Sequence, residues 1–390
     1  MLYDAIVVGG GPAGSLTAYW LSTRGHRVLL LEKERYPRYK PCGGGVTMKT
    51  LRSLPFDVDP VLELPVAGGI VSYRGETVLQ VEPSEPVAGL VMRDTFDHYM
   101  VEQAVEAGTE LVQGRAVEGV EIEDGQVRVL VEGDAHTARF VVGADGVTST
   151  VASSVGLLAD RETGIAVEVE IEVPSEALEA LGPYAVFDFG AIERGYGWIF
   201  PKSDHLSVGV GQVGQPTVKK LKHLLWSFVD HYPLISDYRP VHLQGHPIPF
   251  GGRLSQLHKD RVLLVGDAAN LADPWLGEGI SYAARSARLA ADVLTDALED
   301  GHTDLSSYTE RVNHDIVHQF RHARQIGWMV YHAPKACVTL LRRSEWLQRE
   351  LISTLRGDCT FEQLRRAVMR RSPHLLMDAL SNRTKGENNG

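Results

Sequence analysis

A chain of 390 residues, 44% hydrophobic and 23% charged, is long enough to bury a large core and to divide into two or three lobes. Its formal charge of −11 repels a phosphate backbone and argues against general nucleic-acid binding. No apolar run approaches the roughly eighteen residues of a spanning helix, and three widely separated cysteines, Cys42, Cys337 and Cys359, fit neither a disulfide framework nor a metal-ligand spacing.

Leu2 to Val8 is a short apolar run that enters Gly9-Gly-Gly-Pro-Ala-Gly14. Ser15 to Arg24 then carries helical periodicity up to Gly25, a natural helix stop, and Arg27 to Leu31 is a second apolar run ending at Glu32. This strand, turn, helix and strand is the unit that binds dinucleotides. Gly9, Gly11 and Gly14 allow a tight turn and close approach of the backbone to a pyrophosphate at the helix N-terminus. Glu32 stands where it can accept hydrogen bonds from ribose hydroxyls, and an acid there favours a ribose without a 2′-phosphate. The apolar start lacks the basic lead-in and cleavage site of a signal peptide, so a cytoplasmic location is expected.

Pro41 to Val46 is expected as loop, Val61 to Gln80 as short strands, and Arg93 to Ala107 as a helix. Leu111 to Phe140 reads as strand hairpins with the turn Asp124-Gly125. A further apolar strand, Phe140 to Val142, runs into Gly143-Ala-Asp-Gly146. Ile165 to Pro249 alternates apolar and polar residues in short runs, which predicts an antiparallel sheet with a helix at Val218 to Phe228. Within it, Gly209-x-Gly211-x-x-Gly214 imitates a nucleotide fingerprint, but no acid-terminated apolar strand follows. These glycines are expected to thin a strand where something bulky approaches. Tyr196, Trp198 and Phe200 alternate along one strand and share a face, which is expected to line an apolar tunnel. Lys202 has the same parity and reads as a solvated strand end.

Arg261 to Val265 is a buried strand ending at Gly266-Asp267, and Gly277 to Leu298 is a long helix. The remainder is helical, apart from a polar tail, Asn382 to Gly390, expected to be disordered. From Arg311 to Pro373 twelve Lys or Arg stand against five Asp or Glu, so the basic charge collects near the C-terminus. Thr360-Phe-Glu-Gln363 is a capping box, with Phe361, Leu364 and Val368 on one helical face and Arg365, Arg366, Arg370 and Arg371 on others. His314, His318 and His322 are spaced four apart. Without an HExxH pattern and its carboxylate ligand, they read as a polar helix face and not as a metal site.

Two longer patterns carry a resemblance. Arg261-Val-Leu-Leu-Val-Gly-Asp267 with Pro274, Gly277, Gly279 and Ile280 resembles the Gly-Asp segment of flavoproteins of the para-hydroxybenzoate hydroxylase type. In those proteins the matching Asp contacts the ribityl and pyrophosphate part of FAD, and the following helix N-terminus lies beside the flavin N1 and O2 edge. Arg93, Phe96 and Asp97 match the same family's Arg-x-x-Phe-Asp segment. Gly143-Ala-Asp145-Gly146 matches its Asp-Gly segment, with Ala152 where many relatives have a basic residue. Pro37-Arg-x-Lys-Pro-Cys42-Gly-Gly-Gly45, together with Gly195-Tyr196-Gly-Trp198-Ile-Phe200-Pro201-Lys202, is similar to the geranylgeranyl reductase family of FAD enzymes, whose members saturate isoprenoid double bonds. The likeness runs over roughly Met1 to Leu298.

The resemblance implies an α/β plus β fold. A Rossmann-type FAD-binding domain would comprise residues 1–60, 90–160 and 255–300, an antiparallel substrate domain 61–89 and 161–254, and a helical C-terminal region 301–390. It implies FAD held by Gly9, Gly11, Ala13, Gly14, Glu32, Lys33, Cys42, Gly43, Gly44, Arg93, Val117, Asp145, Gly146, Asp267, Gly277, Gly279 and Ile280. Substrate would meet Tyr196, Trp198, Phe200 and Pro201, with Cys42 and Tyr196 as candidates for proton delivery or charge control, and no metal is implied. The partners expected are a polyprenyl lipid or prenyl diphosphate, a transient electron donor (NADPH, NADH or a ferredoxin-like protein) and, through the basic C-terminal helices, an anionic membrane surface. An aromatic monooxygenase or a flavin-dependent halogenase is the alternative on the same scaffold. A halogenase usually has Trp-x-Trp-x-Ile-Pro where this chain has Tyr196 and Phe200.

Overall fold

The computed structural model describes residues 1–123, 125–157, 162–235, 237–251 and 256–381. Asp124 of the expected hairpin turn and the tail 382–390 lie outside the described residues. The first sheet has Leu2–Val8 at its centre, with Val28–Glu32 and Glu110–Gln113 on one side and Asp134–Gly143, Val262–Leu264 and His258–Lys259 on the other. The first five of these strands are parallel. Such strands are covered on both faces and read as continuous apolar runs; all five residues of Val28–Glu32 are buried. Helices Pro12–Ser22, Arg93–Glu106 and Ile280–Asp300 supply cover on one side. The hairpin Val117–Glu123 and Gln126–Val131 extends antiparallel from Asp134–Gly143.

Parallel strands finish at one edge of a sheet. Val8 is level with Leu31 and Gly143, and Gly143 with Leu264, so the turns that follow are brought together although they lie far apart in sequence. That edge is where open α/β sheets bind ligands.

The second sheet has seven strands in the order Arg239–Phe250, Glu162–Glu172, Leu206–Val213, Gly195–Pro201, Tyr184–Phe189, Gly68–Tyr73 and Glu76–Val81. It is mixed, which corrects the expectation of a purely antiparallel domain: Gly68–Tyr73 runs parallel to Tyr184–Phe189. The two come from distant stretches of chain and are joined by a long crossover, so no hairpin fixes their direction. Helix Val218–Asp230 covers one face with Leu221, Leu225, Phe228 and Val229. Gly197 faces that helix, where a Cβ would lie 2.7 Å from the Phe228 ring, so Tyr196, Trp198 and Phe200 point to the opposite face.

A third, three-stranded sheet links the two lobes through Gly45–Thr47, Ala88–Leu90 and Leu64–Val66. The stretch expected to be loop therefore becomes a strand at Gly45. After residue 300 the chain is helical up to Ser381. The capping box forms reciprocally, with Thr360 N–H donating to Gln363 Oε1 at 2.8 Å and Gln363 N–H to Thr360 Oγ1 at 3.2 Å. Its apolar face packs inward: Phe361 meets Trp275 with ring centroids 5.9 Å apart. Burial of that side chain stabilises the helix by ~1.5–3 kcal/mol.

Candidate functional site: a dinucleotide crevice facing an aromatic wall

At the strand edge, Gly9 has a φ of +100° and a Cβ there would stand 2.4 Å from the Ala144 carbonyl oxygen. A Cβ at Gly14 would stand 1.8 Å from the Gly9 oxygen, so both positions admit only glycine. Helix Pro12–Ser22 starts at Gly11 with no side-chain cap, which leaves its first N–H groups for an anion. Glu32 Oε2 accepts from Gly10 N–H at 2.8 Å and Oε1 from Glu34 N–H at 3.0 Å. The Tyr36 hydroxyl donates to the Gly10 carbonyl at 2.5 Å and so braces the turn. Gly114 N–H donates to the Glu32 carbonyl at 2.8 Å, bringing the strand that begins at Val117 to the same end, while Lys33 is exposed beside it.

The far part of the chain closes on this turn. Gly266 has a φ of +54°, and a Cβ on it would lie 2.8 Å from the Ala13 Cβ. Asp267 Oδ1 would lie 3.4 Å from a Cβ at Gly279, the residue that starts helix Ile280–Asp300 without a side-chain cap. Between them Gly277 has a φ of +70°. The loop is held by Asp273, which sequence reasoning passed over. Its Oδ1 accepts from Trp275 N–H at 2.6 Å, and burial pushes its carboxyl up to about 7. Asp145 is used within its own loop, accepting from Ser149 Oγ at 2.5 Å and from Val151 N–H at 3.0 Å, while a Cβ on Gly146 would meet nothing within 4 Å. Two uncapped helix N-termini and two strand-end acids fit the pyrophosphate and polyol of FAD.

The Cys-Gly stretch lies over this crevice. Arg93 donates to both oxygens of Asp97, at 2.8 and 2.9 Å, and Arg38 reaches the same carboxylate at 3.0 Å. Burial opposes the Arg93 charge, but Asp97 and then Cys42 outweigh it and hold the guanidinium protonated. Lys40 lies 2.6 Å from His246 Nε2; burial, with Arg93 nearby, pulls its pKa down to about 8. The Cys42 N–H donates to Glu168 Oε1 at 2.9 Å.

One residue on, the Lys202 ammonium donates to the Gly43 and Val91 carbonyls, each at 2.9 Å. The loop is thus gripped on either side of Cys42 by a carboxyl and an ammonium. This corrects the reading of Lys202 as a solvated strand end, for the side chain is only 1% exposed. Parity placed it correctly; it is the loop folding over the strand end that buries it.

Gly43 meets the aromatic face directly, since a Cβ there would stand 2.8 Å from both Phe200 Cδ2 and Trp198 Nε1. Gly44, with a φ of +69°, approaches the Val91 carbonyl so closely that a Cβ would be 1.9 Å away. The wall itself is continuous: ring centroids are 6.0 Å apart for Tyr196 and Trp198 and 6.4 Å for Trp198 and Phe200, and Phe187 stands 5.4 Å from Phe200. Pro201 ends the strand, buried. The Tyr196 hydroxyl donates to the Leu276 carbonyl at 2.5 Å and ties the wall to the loop before the second helix. The Gly209 to Gly214 stretch lies on or just after Leu206–Val213, as sheet glycines that make room for Trp198.

His314 turns to Asp315, whereas His318 and His322 meet Glu362 of another helix, with ligand atoms within 4.8 Å of one another. A carboxylate from a separate helix, Glu362, is therefore close in space to His318 and His322, in addition to Asp315 beside His314. Arg365 Nε donates to His322 Nδ1 at 3.0 Å, which leaves a neutral His322 carrying its proton on Nε2, the nitrogen a metal would need.

A family model described as FAD binding domain matches residues 2–187. The chain is 31% identical to digeranylgeranylglycerophospholipid reductase 1 of Methanopyrus kandleri over 85% of its own length and 91% of that protein. Among solved structures, a geranylgeranyl bacteriochlorophyll reductase-like protein of Thermoplasma acidophilum has a TM-score of 0.81 at 22% identity, covering 97% of this chain and 99% of that one. A flavin-dependent brominase has a TM-score of 0.75 at 21% identity, covering 96% of this chain and 100% of that one.

Proposed function

Since the chain belongs to the geranylgeranyl reductase family, we propose that it is an FAD-dependent oxidoreductase that saturates carbon-carbon double bonds of an isoprenoid chain. The observation that carries this reading is the pressing of Gly43 onto Trp198 and Phe200, which sets an apolar aromatic face beside the cofactor crevice. The likeness to the brominase extends to the fold alone.

We assign FAD to the turn Gly9–Gly14, Glu32, the Cys42–Gly44 loop, Arg93, and Asp267 with the helix start Gly277–Ile280; Asp145 and Gly146 frame the crevice from their own loop. The bound, reduced cofactor supplies a hydride. An isolated alkene is a poor electrophile, so binding, orientation and proton delivery set the rate. Tyr196, Trp198, Phe200 and Pro201 hold the prenyl chain and exclude water. Cys42 acts on charge, as a partner of Arg93. The substrate class is a polyprenyl lipid or prenyl diphosphate, and the electron donor, a nicotinamide nucleotide or ferredoxin-like protein, docks transiently.

Among the described residues no helix is long and apolar enough to cross a membrane. Contact with an anionic membrane surface would use the C-terminal arginines with Trp328, 61% exposed, and Met329, because the Phe361 face is already covered. The deciding experiment is anaerobic reduction of the purified holoprotein, followed by mass analysis of polyprenyl lipids. Gains of two hydrogens per bond are expected, and an oxygen-dependent hydroxylated product with every alkene intact would overturn the reading.

A further inference from the structure

The register of the second sheet continues the aromatic face sideways. Trp198 pairs with Gly209, which pairs with Glu168; Phe200 pairs with Ser207, which pairs with Glu170. Directly paired residues share a face, so both carboxyl groups stand beside the aromatic wall. They are 2% and 4% exposed. Gly209 puts no side chain between Trp198 and Glu168, and the indole lies across it, with Cζ2 2.0 Å from where a Cβ would be. Trp198 Nε1 and Glu168 Oε2 are buried with no hydrogen-bond partner among the described residues, and the same holds farther along for Ser207 Oγ, Glu170 Oε2 and His205 Nε2. Such atoms are costly unless something else meets them.

The other Glu168 oxygen accepts from Cys42 N–H at 2.9 Å and from the Tyr39 hydroxyl at 3.2 Å. Toward solvent, Glu170 Oε2 lies 3.2 Å from His205 Nε2, and His205 Nδ1 lies 2.6 Å from Asp204, whose side chain is 82% exposed. A row of titratable groups thus runs from the surface to the aromatic face. The Tyr196 hydroxyl is engaged by the Leu276 carbonyl, whereas Glu168 Oε2 has no hydrogen-bond partner among the described residues.

We propose that Glu168 is the acid of the reaction, with Glu170, His205 and Asp204 as its route to solvent; the proposal rests on the alkene-reductase reading above. The hydride forms a C–H bond at one alkene carbon, the π electrons take the Glu168 proton at the other, and reduced FAD is oxidised. The carboxylate left behind regains a proton from solvent through Glu170 and His205. The groups that face it are Tyr39 and Cys42 from the loop, Glu170 on its own strand, Lys202 and His205 at the neighbouring strand end, and His242, which stacks on Tyr39 at 4.7 Å. Burial, then repulsion from Glu170, raises its pKa well above the usual carboxylate range, against the lowering effect of the Cys42 N–H and Lys202. The acid form therefore persists to higher pH than a free carboxyl would allow, and turnover should fall as that proton is lost.

The test is Glu168→Gln, whose amide oxygen still accepts from Cys42 and Tyr39. Single-turnover alkene reduction by the pre-reduced holoenzyme is expected to slow by at least about 100-fold. Its decline at high pH should vanish, with FAD content and chemical reduction of the flavin unchanged. Independently of turnover, carbon-13 NMR of carboxyl-labelled glutamate should reveal one carboxyl in wild type that titrates well above the usual carboxylate range and is missing from the variant. No such carboxyl, or a variant with wild-type rate and pH profile, overturns this role alone. A wild type that leaves every polyprenyl alkene intact overturns the function and this role together.

Discussion

A single methyl group separates two glycines on the wall's neighbouring strand. At Gly209 a Cβ would stand 2.0 Å from Trp198 Cζ2 and 2.4 Å from Cε2 and Cη2; at Gly211, on the same face, it would stand 3.9 Å from Cζ3 and 4.0 Å from the Ala166 Cβ. Carbon atoms rest about 3.5–4.0 Å apart, so Gly209→Ala forces the indole to move by about 1.5–2 Å, whereas Gly211→Ala makes an ordinary contact. The ring has little space to yield, flanked by Tyr196, Phe200 and the Gly43 backbone. Overpacking of this kind costs ~1–3 kcal/mol. Loss of glycine's freedom in the unfolded chain offsets ~0.4–1 kcal/mol of it. Gly209→Ala is expected to lose ~1–2 kcal/mol net and most alkene reduction, and Gly211→Ala to be neutral or slightly stabilised, both with FAD bound. Urea unfolding followed by tryptophan fluorescence, flavin absorbance and product analysis measure the three quantities. Equal midpoints and equal turnover for the two variants would refute the placement of Trp198 over Gly209.

Gly14→Ala drives a Cβ to 1.8 Å from the Gly9 oxygen, and backbone cannot step aside as a flexible side chain can. A distortion of ~3 kcal/mol weakens FAD binding about 100-fold, so the variant should purify nearly colourless; a normal flavin-to-protein ratio would count against the turn's role. Asp273 holds its proton up to about pH 7 in the folded protein, while the unfolded carboxyl ionises near pH ~4. The native state then binds the extra proton between those values, and stability falls as pH rises through that window. Asp273→Asn removes this loss, so its urea midpoint should gain on wild type between about pH 4 and pH 7; parallel curves would sink the assignment.

Much of the molecule was legible locally. The run Leu2 to Val8 forms a strand over that whole range, and the Thr360 capping box closes as its spacing requires, because both depend on neighbours within a few residues. The dinucleotide turn was legible for the same reason, since its glycines answer to their own φ angles and to adjacent backbone. The parallel pairing of Gly68–Tyr73 was not, because nothing local records which distant strand a segment will meet.

The alternation of apolar and polar residues from Ile165 onward marks two faces along Val167-Glu-Val-Glu-Ile171 but does not say which of them meets water. Only the folded chain lays the Cys42 loop over the acidic face and turns an ordinary-looking strand into a buried row of carboxyls. Lys202 follows the same logic. Periodicity and glycine placement by themselves determined which elements form, which turn can cradle a pyrophosphate and which aromatics share a side, since these are properties of the chain over a few residues. Which faces lose water, and therefore which acids keep a proton, was decided by tertiary packing alone, because desolvation depends on what arrives from elsewhere in the sequence.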